Sequence, residues 1–194
     1  MSLIPYKKFQ HLNISILHKE TVYFKNNKLN VDAFPMKLKK NGFKPDGLWF
    51  SCGASWFNWC MENFDPYWVV NKKVYNIIIN EKKILNINTI GKLNNFIEKY
   101  SEHKKTKKNF EYTIILWSKV SKEYSGIKFC PYLRGKIPNS QIEDWYYSLD
   151  AASGCIWNPD CIIECEYGGI LPKYNLNEKK IVSKFNNILQ NFNS

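Results

Sequence analysis

Three features of this sequence have residue types and spacing suited to chemistry. The first is His18, which closes the short apolar run NISILH over residues 13–18. An imidazole both donates and accepts hydrogen bonds and changes charge near neutral pH, so it suits binding to a sugar hydroxyl or proton transfer. A lone histidine at a strand end is equally a satisfied edge residue. The other histidines are His11, near the N-terminus, and His103, inside a lysine run. The second feature is the segment 44–59, KPDGLWFSCGASWFNW. It gathers Trp49, Trp56 and Trp59 with Phe50 and Phe57 around Gly47, Ser51 and Gly53. Such a segment makes a core strand and helix, and a Gly–aromatic–Ser strand end also builds a stacking shelf for a flat ligand such as nicotinamide or a nucleobase. Trp49, Phe50, Ser51 and Trp56 are the candidates for that shelf. The third feature is the segment 144–157, DWYYSLDAASGCIW, in which Asp150 sits among aromatic and small residues. A carboxylate in that setting is either a hydrogen-bonded strut or a tuned catalytic acid. Glu143, Asp144 and Glu164 compete with it for the acidic role.

Other chemistries lack their residues. There is no G-x-x-x-x-G-K-[ST], G-x-G-x-x-G, H-E-x-x-H or G-x-S-x-G, which argues against P-loop, dinucleotide-fold, zincin and serine-elbow sites. Six cysteines (Cys52, Cys60, Cys130, Cys155, Cys161 and Cys165) contain no C-x-x-C pair, so no zinc knuckle and no metal is expected. Cys155, Cys161 and Cys165 read as small buried hydrophobes, and all the thiols are expected to be reduced. The start MSLIPYKKFQ has no apolar h-region, and no run approaches the roughly 20 apolar residues of a membrane helix. These features predict an intracellular protein, cytoplasmic or nuclear, with no membrane partner.

The elements that must position these residues follow from periodicity. Strands are predicted over 13–18, 47–51 and 127–130, with 73–79 and 83–89 as a pair of strands. Helices are predicted over 54–64, 91–101, 115–124 and 175–192 from apolar residues at 3–4 spacing. The run 103–108 reads as a solvated loop, and 144–150 and 154–164 as strands around a small-residue turn. The order lacks βαβ regularity and predicts one α+β domain spanning the 194 residues. Aromatic residues make up 16% of the chain, enough to build a packed core. The net charge of +11 attracts polyanions. Arg134 is the single arginine among 28 basic residues, so the charge is equally consistent with a solvated lysine surface.

The order of these pieces resembles the ADP-ribosyltransferase superfamily, on its poly-ADP-ribose polymerase side. Ile16-Leu17-His18-Lys19 matches the strand that ends in the family's histidine, although Lys19 replaces its glycine. Gly47-Leu48-Trp49-Phe50-Ser51, followed by Ser55–Met61, matches its Gly–Ile–Tyr–Phe–Ala strand and helix, with Trp49 in place of tyrosine. The resemblance implies a central, mostly antiparallel split sheet flanked by helices, with NAD as substrate. It implies that His18 hydrogen-bonds the nicotinamide ribose, that Trp49 stacks on nicotinamide beside Ser51, and that Asp150, in place of the usual glutamate, polarises the ribose. The acceptor would be a nucleic acid, a protein or, in plain NAD hydrolysis, water. Two other readings stand beside it. One is a non-catalytic basic nucleic-acid-binding module with its tryptophans exposed. The other is a structural or host-interaction protein whose aromatics are core.

Overall fold

The computed structural model describes residues 3–19, 21–63, 66–107, 111–133, 144–173 and 177–194. Arg134, Glu143, Phe64 and Leu176 lie outside the described residues, as does the side chain of Asp144. In chain order the elements are α1 (Tyr6–Phe9), β1 (Asn13–Leu17), β2 (Phe24–Lys25), β3 (Lys28–Leu29), β4 (Leu48–Cys52), α2 (Ser55–Glu62), β5 (Lys73–Ile79), β6 (Ile84–Ile87) and α3 (Ile90–Tyr100). They continue with β7 (Ser101–Lys105), β8 (Glu111–Ile115), α4 (Trp117–Val120), β9 (Gly126–Phe129), α5 (Asp144–Tyr147), β10 (Ser153–Ile156), β11 (Ile162–Ile170) and α6 (Glu178–Phe192). The architecture is mixed α+β, as the sequence predicts. Among the described residues no helix is long and apolar enough to cross a membrane. The chain forms two compact units, one of residues 1–33, 49–80 and 162–194, the other of residues 34–48 and 81–161.

In the first unit the strands run in the order β11-β5-β1-β4, all antiparallel. The β-branched, aromatic sequence KVYNIII of β5 suits a strand paired on both sides. Ile14 and Val74 turn one sheet face toward Phe57, Cys60 and Met61 of α2 and Ile181, Phe185, Ile188 and Leu189 of α6. That 3–4 spacing is the reason α6 is legible as an amphipathic helix. Its start is fixed by the Asn177 side chain, which accepts from the Lys179 amide at 2.8 Å. On the opposite face Tyr75 stacks on Phe24 at 4.0 Å. The Asn27 side-chain Oδ1 accepts from Lys73 Nζ at 2.9 Å and from the Tyr75 hydroxyl at 3.1 Å. Burial, with Tyr167 and Cys165 alongside, pushes the Tyr75 phenol up to about 12. Strand β11 pairs with β5 through two irregularities, between Ile162 and Glu164 and between Tyr167 and Gly169.

In the second unit β9 lies antiparallel to β10 and parallel to β6. Its core is a cluster of rings. Phe96 of α3 lies 6.0 Å from Trp117, 6.2 Å from Phe129 and 5.6 Å from Trp145. Trp117 Nε1 donates to the Gly42 carbonyl at 3.1 Å and Trp157 Nε1 to the Tyr124 carbonyl at 2.7 Å, so both indoles are buried with a partner. Thr89 caps α3 by accepting from the Lys92 amide at 3.2 Å.

Several expectations are corrected. Segments 73–79 and 83–89 are not a strand pair: β5 pairs with β1 and β11, and β6 with β9. The run 103–108 is not wholly loop, because 101–105 pairs as β7 with β8. Ion pairs along that exposed ribbon, Lys104 with Glu102 and Lys105 with Glu111, disguise it as a solvated charge run. The predicted helix 115–124 shrinks to α4, because Ile115 and Gly42 exchange two main-chain bonds of 3.0 Å that hold Ile115 extended. Residues 144–147 are helical instead of extended. Cys52 and Cys130 are each in a disulfide, against the expectation of reduced thiols, whereas Cys155, Cys161 and Cys165 are free thiols. No local spacing announces the bonded cysteines.

Burial raises the Cys155 thiol well above its ordinary range and the Cys161 and Cys165 thiols to about 12. Iodoacetamide at pH 8 is therefore expected to leave these three unmodified in the folded protein and to label all three in urea. Labelling of the native protein at the rate of a free thiol would overturn this placement.

Candidate functional site

The candidate residues of the first unit are positioned by β1. Its ladder with β4 pairs Asn13 with Cys52 and Ile14 with Ser51. One residue further along, the Ser15 hydroxyl donates to the Trp49 carbonyl at 2.7 Å. The Ser51 hydroxyl has the Ile14 carbonyl at 3.1 Å and the Gly53 carbonyl at 2.9 Å as acceptors. Ser51 is only 3% exposed and latches strand to turn. Gly53 makes that turn: its φ is +57, its amide donates to the Leu12 carbonyl at 2.8 Å, and a Cβ there would collide with the Phe9 carbonyl.

The shelf divides accordingly. Trp49 and Trp56 are half-buried, and Trp56 packs against the core. Trp56 stacks on Trp59 at 5.0 Å with the planes 9° apart. Phe50, adjacent to Trp49 and therefore on the other side of β4, is 3% exposed.

His18 lies one residue beyond β1 and is exposed. The β1–β5 ladder pairs Ile14 with Asn76 and ends at Leu17 opposite Lys73. One more step sets His18 opposite Lys72. Lys72 Nζ lies 2.7 Å from His18 Nδ1 and 2.8 Å from Nε2, and the ammonium satisfies one ring nitrogen at a time. Lys72 is 9% exposed. Among the described residues no carboxylate forms an ion pair with it. Burial lowers its pKa from the ordinary lysine value. Sequence reasoning missed Lys72, because only the strand register brings it to His18.

Asp150 belongs to the second unit. It is half-buried and follows α5 with φ +62, the left-handed region, which aspartate tolerates better than most residues. Glu164 is exposed on β11. His18, Trp49, Phe50, Ser51 and Trp56 thus share one unit, and Asp150 lies in the other. Among the described residues no group of three or more His, Cys, Asp or Glu side chains is placed to hold a metal ion. Trp117, Trp145 and Trp157 are sealed in the core, whereas Tyr67 and Trp68 are 65% and 57% exposed. The chain matches no family model, no curated protein and no solved structure.

Two outcomes follow from this geometry. Gly53→Ala should cost about 2 kcal/mol in urea denaturation, from strain at positive φ and the clash with Phe9. An unchanged midpoint would show that the Phe9–Gln10 chain yields. Lys72, with a folded pKa below its unfolded one, is penalised while protonated, so its contribution to stability rises as pH climbs through the folded value toward 10.5. Lys72→Met should therefore match or exceed the parent Tm at pH 7, with the advantage vanishing above pH 10.5. A lower Tm at pH 7 would mean that the bond to His18 outweighs the desolvation.

Proposed function

We propose that this chain is an NAD-dependent, ADP-ribosyltransferase-like enzyme that cleaves the nicotinamide–ribose bond and transfers ADP-ribose to a protein or nucleic-acid acceptor. The observation that carries this reading is the hold of Lys72 on His18 at the end of β1, with the half-buried Trp49 on the neighbouring strand β4. An ammonium that donates to one ring nitrogen makes that nitrogen the acceptor, so a neutral His18 carries its proton on the other. That second nitrogen then donates to a ribose hydroxyl of NAD. Trp49 and Trp56 offer ring faces to the flat nicotinamide, and Phe50 and Ser51 stiffen the strand behind them.

In the reaction, the bond from ribose C1′ to the nicotinamide nitrogen breaks and its electron pair returns to the pyridinium, releasing neutral nicotinamide. An acceptor oxygen or nitrogen then bonds to C1′, and its proton passes to a carboxylate. The ribose becomes oxocarbenium-like on the way, so a nearby carboxylate lowers the barrier electrostatically. The sequence resemblance assigns that role to Asp150. The +11 charge favours a polyanionic acceptor. The exposed pair Tyr67 and Trp68 supports the alternative of a basic nucleic-acid-binding module that stacks single-stranded bases without catalysis.

Incubation with NAD labelled on the adenylate, alone and with single-stranded DNA, RNA or protein, tests the proposal through nicotinamide release. Release is expected, with at least a hundredfold loss in His18→Ala and in Asp150→Ala while circular dichroism stays unchanged. Absence of release under every condition, with no rise in Tm on adding NAD, would overturn the enzyme reading.

A further inference from the structure

The second unit contains a groove that the proposed NAD chemistry does not use. It is about 440 Å³ in volume and is lined by the four β6 residues Ile84, Leu85, Asn86 and Ile87 and by one side of α3. Lys92, Asn95, Phe96 and Lys99 provide that side at helical spacing. Strand β6 ends the strand order of this unit, and among the described residues no strand pairs with its outer edge. Alternate residues of such an edge turn both N–H and C=O outward, which makes it a template for a further strand. Four residues span about 13 Å, and the seven steps from Lys92 to Lys99 rise about 10.5 Å along the helix. Strand edge and helix face thus bound the groove over a similar length, as where a peptide strand is added between a sheet edge and a helix.

We propose that this groove docks an extended, acidic peptide segment of a partner protein, which pairs with β6 as an additional strand. The charge of the groove selects the occupant. Its lining carries two lysines and no carboxylate. Lys99 is paired at 2.7 Å with Glu123, but both partners are about half exposed, and such a surface pair exchanges readily with an incoming carboxylate. Two polar atoms in the lining are also left unsatisfied. Asn86 Oδ1 is sealed from water without a hydrogen-bond partner, a state that costs stability and is rare in folded proteins. Turning the amide toward a bound main chain would give it one. The Tyr100 hydroxyl is likewise buried without a hydrogen bond of good geometry. Burial raises its pKa, with Glu123 acting in the same direction and Lys99 opposing both. The half-buried Leu85 offers apolar surface to a side chain of the added strand.

A fluorescein-labelled decapeptide alternating valine and glutamate tests the proposal by fluorescence anisotropy on the full chain. It should bind at least tenfold more tightly than its valine–lysine counterpart and than a ten-nucleotide oligothymidylate. The double variant Lys92→Glu, Lys99→Gln changes exposed residues, leaves the core intact, and should weaken binding at least tenfold. Amide hydrogen exchange within residues 84–87 should slow when the acidic peptide is bound. Absence of binding would overturn the proposal. So would equal binding by the double variant, tighter binding of the oligonucleotide, or peptide binding that leaves the β6 amides unprotected.

Discussion

The register of β1 against β5 is the constraint on which the first unit depends. Side chains alternate across a strand, so a slip of one residue would send Ile14 and Ile16 away from the core and part His18 from Lys72. Polar groups inside the sheet fix that register. Asn13 donates from its side chain to the Ile77 carbonyl at 2.9 Å, and its main-chain amide reaches Asn76 Oδ1 at 3.3 Å. Asn76 in turn donates to Glu166 Oε2 at 2.7 Å. Buried amides tolerate few alternative partners, so this chain of bonds across β1, β5 and β11 favours one alignment, although Asn13 Oδ1 is left without a partner among the described residues. The apolar contacts stabilise the sheet, and the asparagines choose its alignment.

The second unit reaches specificity by another route. Its strands are short, and its order comes from rings that meet edge-on or tilted around Phe96, Trp117, Phe129 and Trp145. Large rigid side chains bury much area at little cost in rotamer entropy, and their quadrupoles restrict the packing angles. The N–H groups of Trp117 and Trp157 are tied to carbonyls, whereas Trp145 Nε1 is buried with no partner among the described residues. Shape, more than polar bonding, locks Trp145 in place.

Much of the local structure is legible in the sequence. The strand within GLWFS, the helix after Ser55, α3 and α6 all announce themselves through aromatic or apolar spacing. What is not legible is partnership. Nothing in KVYNIII says that it lies between β1 and β11, and nothing near Lys72 says that its amine meets an imidazole 54 residues earlier. His18, Trp49 and Trp56 stand out by residue type, and the structure leaves His18 exposed and the two tryptophans half-buried. Phe50 and Ser51 stand out equally and lie inside, because alternation along β4 and the latch to Gly53 turn them inward. The left-handed backbone of Asp150 carries no sequence signature, since aspartate is common in ordinary turns as well.

Strand β11 combines an end position in its unit's strand order with features that discourage pairing between copies. It is nine residues long, lies at the end of its unit's strand order, and exposes Ile163, Tyr167 and Ile170. A flat strand of that kind would invite stacking of identical copies into fibres. The two irregularities in its pairing with β5 interrupt the even repeat that such stacking requires, and Glu164 adds a charge along the same stretch. The misalignment within β11 thus works as a guard against self-templated aggregation.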